Sequence, residues 1–101
     1  MSRTLKTLRA LGDPTRLRLL ALVDEEELSV NELQLITGLG QSRISTHLGL
    51  LQENSLVTSR RDGKRSFYRT IHNGEVNDSI SLALKAATET PEHASDQTSL
   101  R

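Results

Sequence analysis

Ser29-Val30-Asn31-Glu32-Leu33-Gln34-Leu35-Ile36-Thr37-Gly38-Leu39-Gly40-Gln41-Ser42-Arg43-Ile44-Ser45-Thr46-His47-Leu48 is the stretch whose reading decides the fold. Ser29 and Glu32 stand at the Ser-x-x-Glu spacing of a capping box, in which each side chain satisfies a backbone N–H of the other at a helix start. They open a helix to about Thr37, with Leu33 and Ile36 turned inward. Gly38-Leu39-Gly40 then makes a tight turn. A further helix follows over about Gln41–Glu53, with Ile44, Leu48 and Leu51 on its core face. Asn54 is expected to take the left-handed conformation that closes it.

Upstream, Leu5, Leu8 and Leu11 recur at helical spacing over Thr4–Leu11, a first helix ended by Gly12. Asp13 before Pro14 is a helix start, because Asp caps and Pro fits the first helical position. The helix it opens, Pro14–Glu25, is apolar around much of its circumference and is expected to be the central buried one. Downstream, Leu56–Arg61 and Ser66–Ile71 read as strands around Asp62-Gly63-Lys64, a hairpin signal built on Asp-Gly. A last helix is expected over Glu75–Glu89, with Val76, Ile80, Ala83 and Ala87 on one stripe, and Pro91 stops it. Left bare, that stripe would be wet, so a dimer face is its expected use. The polar, small residues of 91–101 read as a disordered tail. The predicted fold class is mainly α with a small β-hairpin: a winged helix-turn-helix in the order α-α-α-α-β-β-α. Residues 1–90 would form one DNA-binding and dimerisation domain.

A chain of 101 residues has room for one small domain, and its aliphatic core holds two aromatic residues, Phe67 and Tyr68. It contains no cysteine, which removes disulfides, thiolate metal sites and cysteine nucleophiles and fits a reducing cytoplasm, the expected compartment. Met1–Arg9 has no apolar run of a signal peptide, and no stretch approaches the roughly 18 apolar residues of a membrane span. Formal net charge is zero, yet from Gly40 to His72 six Lys/Arg face two acids, a local balance of +4. The acids collect in Asp24–Glu27, so one basic end can still steer a polyanion.

The polar face of the Gln41–Glu53 helix carries Gln41, Ser42, Arg43, Ser45, Thr46 and His47. Exposed helices usually carry Glu and Lys there instead. Short or forked hydrogen-bonding side chains suit base edges and phosphates in a major groove, which is about 12 Å wide and admits one helix. Arg60, Arg61, Lys64 and Arg65 cluster at the hairpin tip, placed to reach backbone phosphates or an adjacent minor groove. Alone, the helix face reads equally well as solvated surface, and the basic tip as a blunted sheet edge. Their adjacency behind a capped brace helix favours double-stranded DNA as the partner. No hydrolase, phosphate-loop or dinucleotide fingerprint is present, so no enzymatic activity and no cofactor are expected.

Four ordered motifs also resemble the ArsR/SmtB family of bacterial transcriptional regulators. Leu11-Gly12-Asp13-Pro14-Thr15-Arg16-Leu17-Arg18-Leu19-Leu20 is similar to its opening helix pair, and Leu28-Ser29-Val30-Asn31-Glu32-Leu33 to its brace helix. Gln41-Ser42-Arg43-Ile44-Ser45-Thr46-His47-Leu48 is similar to its recognition helix, and Leu56-Val57-Thr58-Ser59-Arg60-Arg61-Asp62-Gly63-Lys64 to its wing. The resemblance implies a homodimer, joined through its first and last helices, that represses transcription from an inverted-repeat operator. Ser29 and Asn31 stand where metal-sensing members hold two cysteines, so soft-metal sensing is not expected there. The alternative family site needs a His two residues after an Asp of the last helix, where Asp78 is followed by Ile80. His47, His72 and His93 are too scattered for a ligand set, and no bound metal is expected. The acid run Asp24–Glu27 reads as a solvated helix end. Two other readings are the DNA-binding piece of a longer methyltransferase-like protein, because the wording Gly38–His47 is similar to such proteins, and a winged helix that binds protein.

Overall fold

A computed structural model describes residues 2–74 and 77–101. Its elements are α1 (Arg3–Leu11), α2 (Pro14–Glu25), β1 (Leu28–Ser29), α3 (Val30–Thr37), α4 (Gln41–Glu53), β2 (Val57–Asp62), β3 (Arg65–Thr70), α5 (Asn77–Ala87) and α6 (His93–Leu100). The expected order is present, with β1 and α6 added. Glu75 and Val76, placed by the sequence in the last long helix, lie outside the described residues.

The helix starts follow their capping chemistry. The Asp13 side chain accepts from Arg16 N at 3.0 Å, with Pro14 in the first turn. The Ser29 hydroxyl accepts from Glu32 N at 3.2 Å while the Glu32 carboxylate accepts from Ser29 N at 2.9 Å, a complete capping box. Gly38 ends α3 at φ 75°, which favours a residue without Cβ.

The end of α4 departs from expectation. Asn54 sits at φ −95°, and Ser55 takes the left-handed position at φ 58°. The bonds explain why. Leu56 N donates to Leu51 O and Ser55 N to Gln52 O, each at 3.0 Å, which is the Schellman pattern with Ser55 as the first residue past the cap. Burial of Leu56 beside Leu51 anchors that register. A non-glycine residue there is strained, so Ser55→Gly is expected to stabilise the fold by about 0.5–1 kcal/mol, read as a higher urea midpoint. A lower midpoint would mean that the Ser55 side chain offsets its own strain.

The sheet has the order β1-β3-β2, all antiparallel. Asp62 pairs with Arg65, leaving Gly63-Lys64 as a two-residue turn with positive φ at Gly63 (63°). That is the requirement of a type II′ hairpin. Leu28 pairs with Tyr68 and Ser29 with Phe67, so β3 is the central strand and ties the hairpin to the start of α3.

The core is built around α2, whose Leu19, Leu20, Leu22 and Val23 are buried against Leu33, Ile44, Leu48, Leu51, Leu56 and Ile80. The stripe Ile80, Ala83 and Ala87 is buried within this same chain and is therefore not free to form a dimer face. Exposed leucines on the neighbouring helices α1 and α5 are instead Leu5 (43%), Leu8 (54%) and Leu82 (63%), with Leu35 (86%) on α3 and Leu50 (36%) on α4 exposed elsewhere. Leu5 and Leu8, two of the three leucines that recur at helical spacing on α1, thus face outward.

Residues 91–101 also differ from the expected disordered tail, because α6 packs on α2 and α3. Asp96 is buried and takes a two-pronged bond from Arg18, at 2.8 and 2.9 Å. That bond is the main reason the Arg18 guanidinium pKa is raised. Leu100 packs against the core. Turned with its NH₂ toward α2, the Gln97 amide reaches both Glu25 oxygens, at 2.7 and 2.8 Å. A buried ion pair and the packing of Leu100 thus hold a segment whose composition is otherwise polar.

Candidate nucleic-acid interface

Ile44, Leu48 and Leu51 commit one side of α4 to the core. Ser42, Ser45, Thr46 and Gly49 are exposed around the other side. The residues Ser42, Ser45, Thr46 and Gly49 are small, so a partner's surface can approach this part of the helix closely, with exposed Leu50 and Glu53 following toward its C-terminus. The Thr46 hydroxyl donates to Ser42 O at 2.9 Å, which leaves its oxygen lone pairs outward. Gly40 provides no side-chain cap, so the first backbone N–H groups of α4 remain available to an acceptor.

Arg43 and His47 lie one turn apart on the flank facing α2. Arg43 is exposed, and one of its terminal nitrogens donates to Thr15 Oγ1 at 3.1 Å. A terminal nitrogen of Arg16 lies 3.1 Å from His47 Nδ1. His47 has a lowered pKa, first through burial and then through Arg16 and Arg43, with Asp13 opposing. Arg16 is a contributor that the sequence reading missed. Its i, i+3 spacing from Asp13 marks only a helix cap, and nothing in the sequence signals a contact 31 positions away.

The wing divides into two groups. Arg61, Lys64 and Arg65 are exposed at or beside the turn, and Lys64 and Arg65 form no ion pair among the described residues. Arg61 Nε donates to Gly63 O at 3.3 Å, bracing the turn. Arg60 does not join them. Its Nε donates to Glu27 Oε1 at 2.5 Å, and its guanidinium lies 5.0 Å from the Phe67 ring centre. Strand alternation turns it to the opposite face of β2 from Arg61. Arg69 lies 3.7 Å from the same Glu27 carboxylate. A cleft of about 280 Å³ separates the wing from the starts of α3 and α4, and Asn31, Gln41, Lys64, Arg65, Ser66 and Tyr68 line it. It brings Gln41 beside the free cations of the wing.

The acid run is not a uniform solvated end. Asp24 Oδ1 lies 2.7 Å from both Thr70 Oγ1 and His72 Nε2, while Glu27 holds Arg60. The run therefore fastens β2 and β3 to α2. Ser29 is buried and occupied by its capping box. Among the described residues no three of His, Cys, Asp and Glu converge on one point, and no helix is long and apolar enough to cross a membrane.

The profile described as "Bacterial regulatory protein, arsR family" matches residues 13–59, from the cap of α2 into β2. The biofilm growth-associated repressor of Xylella fastidiosa is 44% identical over 62 residues, which cover 61% of this chain and 54% of that protein. The chain thus spans about half the length of that relative. The transcriptional activator HlyU of Vibrio cholerae is 37% identical over 75 residues, 74% of this chain and 68% of that protein. Among solved structures, the homodimeric winged helix-turn-helix DNA-binding domain of Mb0332 from Mycobacterium bovis superposes with a TM-score of 0.73. It is 30% identical, over 90% of this chain and 83% of that one.

Proposed function

The chain belongs to the arsR family of bacterial regulatory proteins, and from that premise we propose that it is a sequence-specific, DNA-binding transcriptional repressor. It acts in the cytoplasm as a homodimer on an inverted-repeat operator. The observation that carries this reading is the outer face of α4, small and polar from Ser42 to Gly49, beside a wing tip with free cations. α4 enters the major groove, where Gln41, Ser42, Arg43, Ser45, Thr46 and His47 meet base edges and phosphates. Arg61, Lys64 and Arg65 hold the flanking backbone. Arg60 fixes the pitch of the wing through Glu27. The exposed Leu5, Leu8 and Leu82 supply the dimer face on α1 and α5.

Selection of bound duplexes from a random pool tests the reading. The expected product is a palindrome with two equivalent half-sites. No enrichment would favour a winged helix that binds protein instead. The dimer is tested separately, by sedimentation at micromolar concentration, where a monomer would remove the two-half-site operator.

Two substitutions separate reading from anchoring. Arg43→Ala is expected to weaken operator binding by about 1–3 kcal/mol and to relax the preference at one base pair per half-site. A uniform loss over all sequences would mark Arg43 as a phosphate contact. Lys64→Ala is expected to lower affinity for every duplex and to reduce the salt slope by about one for each wing engaged. An unchanged slope removes Lys64 from the contact set.

A further inference from the structure

We propose that Arg16 fixes the proton of the His47 ring, so that this histidine meets DNA only as a hydrogen-bond donor. The inference rests on the DNA reading above and names a specificity rule for it. His47 is the base-reading group in this scheme, and Arg16 is its positioning residue.

A guanidinium has five N–H donors, no acceptor, and stays charged in proteins. The nitrogen of Arg16 that lies 3.1 Å from His47 Nδ1 must therefore donate. Nδ1 must accept and carries no proton. A neutral imidazole then holds its hydrogen on Nε2.

Arg16 is itself held in place. Its Nε donates to Ala10 O at 2.5 Å, and its other terminal nitrogen donates to Arg9 O at 3.2 Å. Those carbonyls belong to the last turn of α1, where a cation is favoured. The Arg16 backbone is tied to the Asp13 side chain at 3.0 Å. All three guanidinium nitrogens are thus engaged, two on the end of α1 and one on α4.

His47 Nε2 is open. It has no bonding partner among the described residues, and no buried side-chain nitrogen or oxygen there lacks one, so this atom is in reach of solvent. The charged groups that face the ring are Arg16, Arg43 and Asp13. Burial is the largest cause opposing a second proton, and the two cations add to it against Asp13, so the pKa lies below the ordinary histidine value. Arg43 is tied to Thr15 one residue before Arg16, so consecutive residues of α2 set consecutive turns of the reading face.

A lone N–H donor discriminates between base edges. In the major groove guanine offers two acceptors, N7 and O6, and no donor. Cytosine offers only its N4 amino donor, adenine sets an amino group beside N7, and thymine offers the single acceptor O4 beside its methyl group. One position in each half-site should then favour guanine opposite His47. The same geometry makes the end of α1 part of the reading apparatus, because shifting it would release the His47 proton to either nitrogen.

The test has two arms. Long-range ¹H–¹⁵N spectra of the free protein at pH 7.5 are expected to show His47 as the Nε2–H tautomer, and Arg16→Met is expected to give a mixture of tautomers. A dominant Nδ1–H form in the parent, or an unchanged ring in Arg16→Met, overturns the role of Arg16. Arg16→Ala, which likewise removes the donor, replaces Arg16→Met if the latter does not fold, with the same mixture of tautomers expected. In the second arm, duplex selection is run on the parent and on His47→Ala. The variant is expected to lose about tenfold in preference at the guanine position and to keep the rest of the motif. A motif unchanged at every position overturns base reading by His47. A parent that enriches no motif overturns the DNA reading and the guanine rule with it, while the ring spectra still decide whether Arg16 sets the proton.

Discussion

Asp96→Ala is expected to destabilise the fold by about 3–5 kcal/mol, because it leaves the Arg18 charge buried without its partner. The two side chains keep 10% and 5% of their surface and meet in a two-pronged bond. In a domain of this size about 1 kcal/mol moves the thermal midpoint by roughly 4–8 °C, so the expected fall is at least ~12 °C. The double variant Arg18→Met/Asp96→Leu removes both charges and should recover most of the loss, because such a pair roughly breaks even against apolar groups of similar volume. A shift in Asp96→Ala worth less than about 1 kcal/mol would mean that α6 is not docked on α2 in solution.

The largest effect on binding should come from salt. Raising monovalent salt from ~50 to ~200 mM is expected to weaken operator binding about 1,000-fold. Arg61, Lys64 and Arg65 of two wings neutralise about six phosphates, and each contributes close to 0.9 to the slope of log affinity against log salt. The expected slope is then about −5. Arg60→Ala should leave that slope nearly unchanged, because this guanidinium is already spent on Glu27 and Phe67. Arg61→Ala should flatten it. A slope near zero in the parent would mean that no phosphates are engaged and would sink the wing assignment. Equal effects of Arg60→Ala and Arg61→Ala would mean that the Glu27 pair opens on DNA.

These contrasts mark what a sequence can carry. α2, α3 and α4 are legible because their signals are local: Asp13-Pro14, the Ser29–Glu32 box, and apolar residues at helical spacing. The hairpin is legible for the same reason, since Gly63 has to supply a positive φ. The two residues of β1 have no periodicity to read, and they become a strand only when β3 returns beside them. α6 is invisible because its decisive contact joins residues 78 positions apart. Within the candidate site, residue types on α4 and the wing are legible, and their commitments are not. Arg60 and Arg61 are neighbours with the same side chain. Strand alternation sends one to Glu27 and the other to the tip.

In metal-sensing members, which this chain resembles, cysteines stand where Ser29 and Asn31 are. Here the Ser29 hydroxyl starts α3, its backbone joins β3, and the residue is buried. Ser29→Cys would exchange a strong cap acceptor for a weak one, at a cost of about 1 kcal/mol. It would do so before a second thiolate existed to repay it with metal affinity. The capping box therefore sets a stability cost on a thiolate at position 29, whereas exposed Asn31 takes no part in the cap.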